Sequence, residues 1–335
     1  MGGDFGPSIV VPGALRAARE EGFSVLLVGN EEAVRQELKQ HNTSGISLDV
    51  VHAADVVSME DKPSDILRRK KEASIQIACR LVAEGRAHGV VSPGHSGASV
   101  ACGMFILGRI PGVERPALAT VMPTEKAPAI IVDVGANVDC RPHHLFQFGL
   151  MADAYAKDLL ERSNPKIGIL SIGEEEGKGN SQVKEAYDIF KLAQNLNFVG
   201  NVEGRDLFTG EVDIVVCDGF VGNVVLKLSE GLSTSLTRIL KRELLTSTLA
   251  AKVGTFLAKG AFRRFARFVD YAEYGGAPLL GLRGIVIVCH GKSNIKAITN
   301  ATKMAARFVK KRTNERLIAN ITTNEELTRY SKAIK

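Results

Sequence analysis

Short apolar runs alternate along the chain with longer stretches in which apolar residues recur every three or four positions. The runs FSVLLV (23–28), GVV (89–91), AIIVDV (129–134), KIGILSI (166–172), VDIVVC (212–217) and GIVIVC (284–289) are apolar at successive positions, as in strands of a parallel sheet buried on both faces. Helical spacing covers 8–21, 63–85, 97–108, 144–162, 181–195, 222–243, 247–269 and 293–311. This alternation predicts an α/β protein, a three-layer α/β/α sandwich with helices on both sides of the sheet. One domain with a cleft is expected over 1–335, with 222–271 as a protruding helical pair broken near Leu245–Ser247. Right-handed crossovers predict that the strand C-terminal ends share one edge.

Five of the runs lead into polar, glycine-rich loops. SPGHSGAS comes after the second run, DVGANVD after the third, GEEEGKGN after the fourth, DGFVGN after the fifth and HGKSN after the last. An open α/β sheet binds its ligand at strand ends, so these five loops predict a shared pocket. The 173–180 loop is a near miss for a phosphate loop: Gly173 to Lys178 is one residue short, and Gly179 replaces the metal-binding Ser or Thr. Glu174, Glu175 and Glu176 would repel a polyphosphate, and no Gly-x-Gly-x-x-Gly comes after a strand, so a nucleotide is unsupported. N–H groups at a helix start and the Lys178 ammonium suit a smaller anion. The competing reading is a solvated turn in which Lys178 pairs with a neighbouring glutamate.

The other loops carry similar alternatives. Asp218 and Asn223 stand at a helix entry with Lys227 one turn on, as substrate contacts or as simple caps. Gly94, His95 and Ser96 open another helix, where N–H groups suit an anion or oxyanion, but the pair lacks the orienting acid of a catalytic triad. Asp133, Asn137 and Asp139 match no known metal loop, so no metal is expected. His290 is a proton donor or a structural histidine.

Residues 247–269 form an unusual stretch. Leu257, Ala258, Ala261, Phe262, Phe265, Phe268 and Val269 share one side of a helical wheel, while Lys252, Lys259, Arg263, Arg264 and Arg267 share the other. Such a helix fits a membrane interface, with packing of a dimer mate as the rival.

Composition narrows the setting. Hydrophobic residues make up 45% and charged residues 24%, ordinary for a globular protein. No apolar run approaches the roughly 20 residues that span a bilayer. Five cysteines without paired spacing argue for a reducing compartment and against a zinc site or disulfide framework. The net charge of +6 permits an acidic partner without demanding one.

Several strings carry a resemblance. MGGDFGP (1–7), RPALATVMPT (115–124), DVGANVDC (133–140), EEEGKGN (174–180), CDGFVGNVVLK (217–227), AEYGGAPLLG (272–281) and HGKSN (290–294) resemble the bacterial acyl-acyl-carrier-protein:phosphate acyltransferase family of phospholipid synthesis. The resemblance implies an isocitrate/isopropylmalate-dehydrogenase-like sandwich, also related to phosphotransacetylases. It implies acyl phosphate made from inorganic phosphate and a fatty acyl thioester on acyl carrier protein, without nucleotide, metal or other cofactor. It further implies a cytoplasmic homodimer held peripherally at the inner face of the membrane, and a glycerol-phosphate acyltransferase that takes the product. No nucleic acid is implied. Two departures stand out: the family carries a strand ahead of Met-Gly-Gly-Asp, and it commonly has Gly-Asn-Thr-Gly where this chain has Gly94-His95-Ser96-Gly97.

On this reading phosphate attacks the thioester directly. Lys178 and Asn180 hold it, Asn223 with Lys227 or the 94–97 helix start donates to the oxyanion, and His290 protonates the departing thiolate. Asp4, Gly177 and Gly179 join Gly94, His95, Ser96, Asp133, Asn137, Asp139 and Asp218 as substrate-binding positions. Leu257, Phe262, Phe265 and Phe268 are assigned to membrane. Arg238, Lys241, Arg242, Arg263, Arg264 and Arg267 are assigned to docking an acidic carrier protein. The rivals are a phosphotransacetylase acting on coenzyme A thioesters and a non-catalytic membrane scaffold that binds acyl carrier protein.

Overall fold

Runs such as Ala129–Val132 and Ile214–Val216 have every side chain buried, which only an inner strand covered on both faces allows. The computed structural model describes residues 1–58, 60–246, 248–268 and 270–333. Met59, Ser247 and Val269 lie outside the described residues, and with them the Ser247 end of the break expected near Leu245–Ser247 and the place of Val269 on the apolar face.

The chain begins with α1 (Pro7–Glu21), β1 (Val25–Gly29), α2 (Glu31–Leu38) and β2 (Leu48–His52). Then come α3 (Pro63–Arg69), α4 (Ser74–Ala83), β3 (Gly89–Ser92), α5 (Ser96–Cys102), β4 (Ala117–Met122) and β5 (Ala129–Val132). The middle holds α6 (Pro142–Leu159), β6 (Lys166–Leu170), α7 (Ser181–Leu192), β7 (Asn197–Val202) and β8 (Ile214–Val216). After them run α8 (Gly219–Thr246), α9 (Leu249–Leu257), α10 (Lys259–Phe268), β9 (Ala277–Leu280) and β10 (Ile285–Val288). The last elements are α11 (Ile295–Lys311), α12 (Thr313–Thr323) and α13 (Glu325–Ala333).

Six expected strands are present, within one to two residues at each end. Strands β2, β4, β7 and β9 and helices α2, α12 and α13 add to the sequence reading. The expected helix over 63–85 divides into α3 and α4 because the Gln76 amide takes the carbonyls of Ile66, Leu67 and Lys70 at 2.8, 3.3 and 3.2 Å and so caps α3. The stretch beyond α8 is likewise two helices, α9 and α10, which meet at Ala258.

Strands β1 and β2 pair in parallel by themselves, and the other eight form one sheet in the order β3-β10-β9-β4-β5-β8-β6-β7. The sheet is mixed. Strand β9 is antiparallel to both β10 and β4, and β4 is antiparallel to β5. Three reversals in a row leave β3 and β10 running opposite to β5, β8, β6 and β7. The expectation of one edge for all strand C-terminal ends is thereby corrected: the strand-end loops leave from two opposite rims.

Helix α6 carries the core. Phe146, Phe148, Tyr155 and the neighbouring α7 residue Phe190 are fully buried beside Ile130, Ile167 and Ile214 of the sheet. Helix α6 has 15 buried residues because sheet, α7 and α12 enclose it nearly all round. On the opposite sheet face, α8 begins by packing Val225 and Leu226 against Met122, Ile131 and Val215. No helix among the described residues is long and apolar enough to cross a membrane.

Candidate functional site: an anion-binding rim

Strands β5, β6 and β8 deliver three polar loops to one rim, and hydrogen bonds tie them together. Gly219 N–H donates to Asn137 O at 2.8 Å, and Gln182 Nε2 donates to Cys140 O at 2.7 Å. A side chain on Gly135 would meet Asn223 at 3.6 Å, which places Asn223 against the 133–140 loop. The rim thus gathers Lys178, Asn180 and Asn223 with Gly177, Gly179, Asp139 and Asp218.

Asp133 has a different role from the expected substrate contact. It is fully buried, and Oδ1 accepts from the N–H groups of Leu118, Gly135 and Ala136 at 3.0, 3.1 and 3.0 Å. Oδ2 accepts from Asn137 N and Nδ2 at 2.7 and 2.8 Å. Burial pushes its pKa above the ordinary carboxylate value, and these hydrogen bonds work against that shift. Asn137 is also spent on structure, since its Nδ2 bonds Pro116 O at 2.7 Å. The two residues brace the rim. Gly222 seals it, because a Cβ there would lie 1.9 Å from Asp133 O.

Lys178 escapes the pairing that a solvated turn predicts. Glu176 is taken by Lys191 at 2.8 Å and Glu174 faces Arg205 at 3.9 Å. Lys178 is exposed and makes no ion pair among the described residues. Its position is set by its own N–H, which donates to Glu175 O at 2.9 Å, while Asn201 Nδ2 holds the same carbonyl at 2.8 Å. Gly179 has φ 102°, and a Cβ there would press on Val183 and Ser171 at 2.7 and 3.0 Å, so the turn into α7 requires glycine. Asn180 caps α7 by accepting from Val183 N–H at 2.9 Å, which leaves its Nδ2 donors for a ligand. Asp218 caps in the same way, accepting from Val221 N–H at 2.9 Å. Lys227 is turned to Glu230 at 2.8 Å, a surface pair that offers little to a ligand.

The remaining expected residues form a second group at the opposite rim, after β3 and β10. Asp4 N–H donates to Gly291 O at 2.9 Å, and a side chain on Gly2 would strike Gly94. His95 is the cap of α5, its Nδ1 accepting from Ala98 N–H at 3.1 Å, and Ser96 is exposed beside it. His290 Nδ1 accepts from Lys292 N–H at 3.1 Å. His290 therefore leaves the sheet on the rim opposite Lys178 and Asn223, because β10 runs against β6 and β8.

Residues 1–316 match the family described as "Fatty acid synthesis protein". The chain belongs to that family. It is 71% identical over all 335 residues to a protein of Nitratidesulfovibrio vulgaris named "Phosphate acyltransferase", covering 97% of that relative. It is 65% identical over 330 residues to a protein of the same name from Lawsonia intracellularis, covering 98% of this chain and 95% of that one. Among solved structures, a phosphotransacetylase from Streptococcus pyogenes superimposes with a TM-score of 0.63 at 17% identity, over 90% of this chain and 91% of that one. A branched-chain phosphotransacylase from Enterococcus faecalis superimposes with a TM-score of 0.54 at 17% identity, over 90% and 95%. These likenesses show the shared α/β fold.

Asn201, Ser171 and Arg115, which belong to no loop motif, also stand at this rim. Asn201 Oδ1 and Ser171 Oγ are buried beneath the 173–180 loop with no hydrogen-bond partner among the described residues. Asn201 lies in the string GNVEGRD at the end of an extended run, and that placement was the signal available. Arg115 sits just ahead of β4, a strand the apolar pattern did not reveal.

Proposed function

We propose that the enzyme transfers a fatty acyl group from the thioester of acyl carrier protein to inorganic phosphate. The broader reading needs no proposal: family membership and full-length identity make the chain a phosphate acyltransferase. One observation supports inorganic phosphate as the acceptor, the Lys178 ammonium, without an ion pair among the described residues, near Asn180, Asn223 and a glycine turn; the carrier-protein donor rests on the family resemblance. A single ammonium suits one phosphate group, and Glu174, Glu175 and Glu176 oppose a polyphosphate.

In this scheme Lys178 and the Asn180 amide hold phosphate. A phosphate oxygen attacks the thioester carbonyl, the carbon–oxygen bond forms, and the electron pair moves to the carbonyl oxygen. Asn223 donates to that oxyanion. Collapse expels the pantetheine thiolate, which leaves without help and takes its proton from water. His290, at the other rim, has no part in this step. Holding both reactants accounts for most of the acceleration, up to roughly 7–11 kcal/mol in favourable cases. Mixing the protein with palmitoyl carrier protein and phosphate is expected to give acyl phosphate, trapped as the hydroxamate. A product seen only with palmitoyl coenzyme A would support the rival donor.

The proposal extends to a homodimer at the inner membrane face, in the cytoplasm. Helix α8 exposes Val224, Leu228, Leu232, Leu236 and Ile239 along one stripe, at 50, 69, 57, 56 and 47%. A stripe of this length supports pairing with a second copy. Leu257, Phe265 and Phe268 are exposed at 78, 53 and 47%, and Phe262 is half-buried. They support the membrane assignment, and Phe256, exposed at 73%, joins them. Arg238, Lys241, Arg242, Arg263, Arg264 and Arg267 are all exposed and suit an acidic carrier protein or anionic lipid. Replacing Leu257 and Phe265 with Asp is expected to release the protein from anionic vesicles while activity in solution persists. Replacing Leu228 and Leu232 with Asp is expected to yield monomers by sedimentation. Vesicle binding lost only in the second variant would reassign the α9–α10 face to packing.

A further inference from the structure

The loop that leads into β4 is pinned on both sides of Arg115. Glu114 N–H donates to Gln147 Oε1 at 3.0 Å, and Gln147 Nε2 donates to Gly112 O at 2.7 Å. Glu114 Oε2 lies 2.8 Å from His143 Nε2 and 3.0 Å from His144 Nε2. On the other side, Pro116 O accepts from Asn137 Nδ2 at 2.7 Å.

Two carboxylate-facing imidazoles and a glutamate resemble a metal site, since their donor atoms lie within 4.8 Å of one another. The tautomers argue otherwise. His144 Nδ1 accepts from Arg141 N–H at 3.0 Å, so neutral His144 carries its proton on Nε2 and donates it to Glu114. Burial holds His144 neutral, lowering its pKa to about 4. A ring nitrogen bearing that proton has no lone pair for a metal. The trio is a hydrogen-bonded latch.

The latch has a consequence for its neighbour. Glu114 would be the ordinary counter-ion of Arg115, yet its carboxylate is turned to the two histidines. Arg115 is exposed and makes no ion pair among the described residues. It stands at the rim of Lys178 and Asn223, because β4 begins where β5 ends. Its positive charge lowers the pKa of the Cys140 thiol, against the burial that pushes it up to about 12. Cys140 O in turn holds Gln182 at the start of α7, two residues from Asn180.

We propose that Arg115 is a second phosphoryl-binding cation of this rim, and that Glu114, His143 and His144 position it and keep it unpaired. This rests on the phosphate-acyl transfer proposed above and deepens it. A guanidinium binds phosphoryl oxygens through two parallel N–H groups, which a lysine does not. The phosphoryl group is either inorganic phosphate or the phosphodiester that links pantetheine to its carrier.

Steady-state kinetics of R115A and R115K, with both substrates varied, test the proposal. Acyl-pantetheine without its phosphate serves as a second donor. If Arg115 grips inorganic phosphate, R115A raises the phosphate KM about tenfold or more with either donor. If it grips the phosphodiester, the KM for acyl carrier protein rises instead, and that for acyl-pantetheine does not. R115K restores only part of either loss. Glu114→Gln, which keeps an acceptor for His144, is expected to shift the same KM less than Glu114→Ala. R115A with both KM values within twofold of wild type, at an unchanged melting temperature, overturns the proposal. Should the wild-type protein make no acyl phosphate, the reaction itself is wrong. Calorimetric titration with inorganic phosphate and with pantetheine phosphate then decides Arg115 separately: binding of either weakened by R115A supports it, and binding of both unchanged overturns it.

Discussion

Lys178→Ala is expected to lower kcat/KM by roughly 10²–10³-fold, the range seen when one preorganised donor to a reacting oxyanion is removed. The loss is expected in a raised phosphate KM as well as in kcat, because the ammonium neutralises the nucleophile on binding and orients it during attack. Lys178→Arg keeps the charge but displaces it, so partial recovery is expected. The reason for a large effect is local. Glu174 and Glu176 face Arg205 and Lys191, so neither forms an ion pair with the ammonium. An ammonium already paired with carboxylate would contribute far less. Phosphate titrations at fixed acyl donor measure the effect, and an unchanged phosphate KM would remove Lys178 from the site.

Asp133→Ala is expected to be the most destabilising substitution at the rim, by about 3–5 kcal/mol. Five hydrogen bonds end on this carboxylate, from the start of β4 and from the 135–137 loop. Removing it strands buried donors that have no water to turn to. On that scale the melting temperature falls by about 10 °C, at the few degrees per kcal/mol usual for chains of this size. Asp139→Ala, on an exposed position of the same loop, is expected to melt within about 1 °C of wild type, since surface changes away from such features stay small. Scanning calorimetry separates the two. An Asp133→Ala protein as stable as the Asp139→Ala one would mean that the carboxylate does not brace the rim.

The two substitutions mark the line between what was legible and what was not. Lys178 could be proposed from sequence because its signal is local: a glycine turn between a strand and a helix start, within about eight residues. Asn180, Asn223 and Asp218 were readable as helix-entry residues for the same reason, and two of the three are indeed caps. The sequence offered Asp133 as a substrate contact; its local bonds to 135–137 and its burial, fixed by the bond from Leu118 where β4 docks against β5, show a brace that no local pattern announced. The role proposed for Arg115 was out of reach of the sequence because it depends on distant partners. Its value depends on Glu114 being turned to two histidines about thirty residues further on.

By itself the sequence determined the α/β class, six strands, the polar composition of the strand-end loops and the amphipathic basic stretch, because hydrophobic period and turn residues act over a few positions. Only the tertiary structure decided that β4 and β9 enter antiparallel. That choice sends the 93–97 and 290–294 loops to one rim and the 133–140, 173–180 and 217–223 loops to the other. Two of the three reversals are short hairpins, β4 with β5 and β9 with β10, but neither β4 nor β9 stood out in the apolar pattern, and the third, where Ala117 meets Leu280, joins distant parts of the chain.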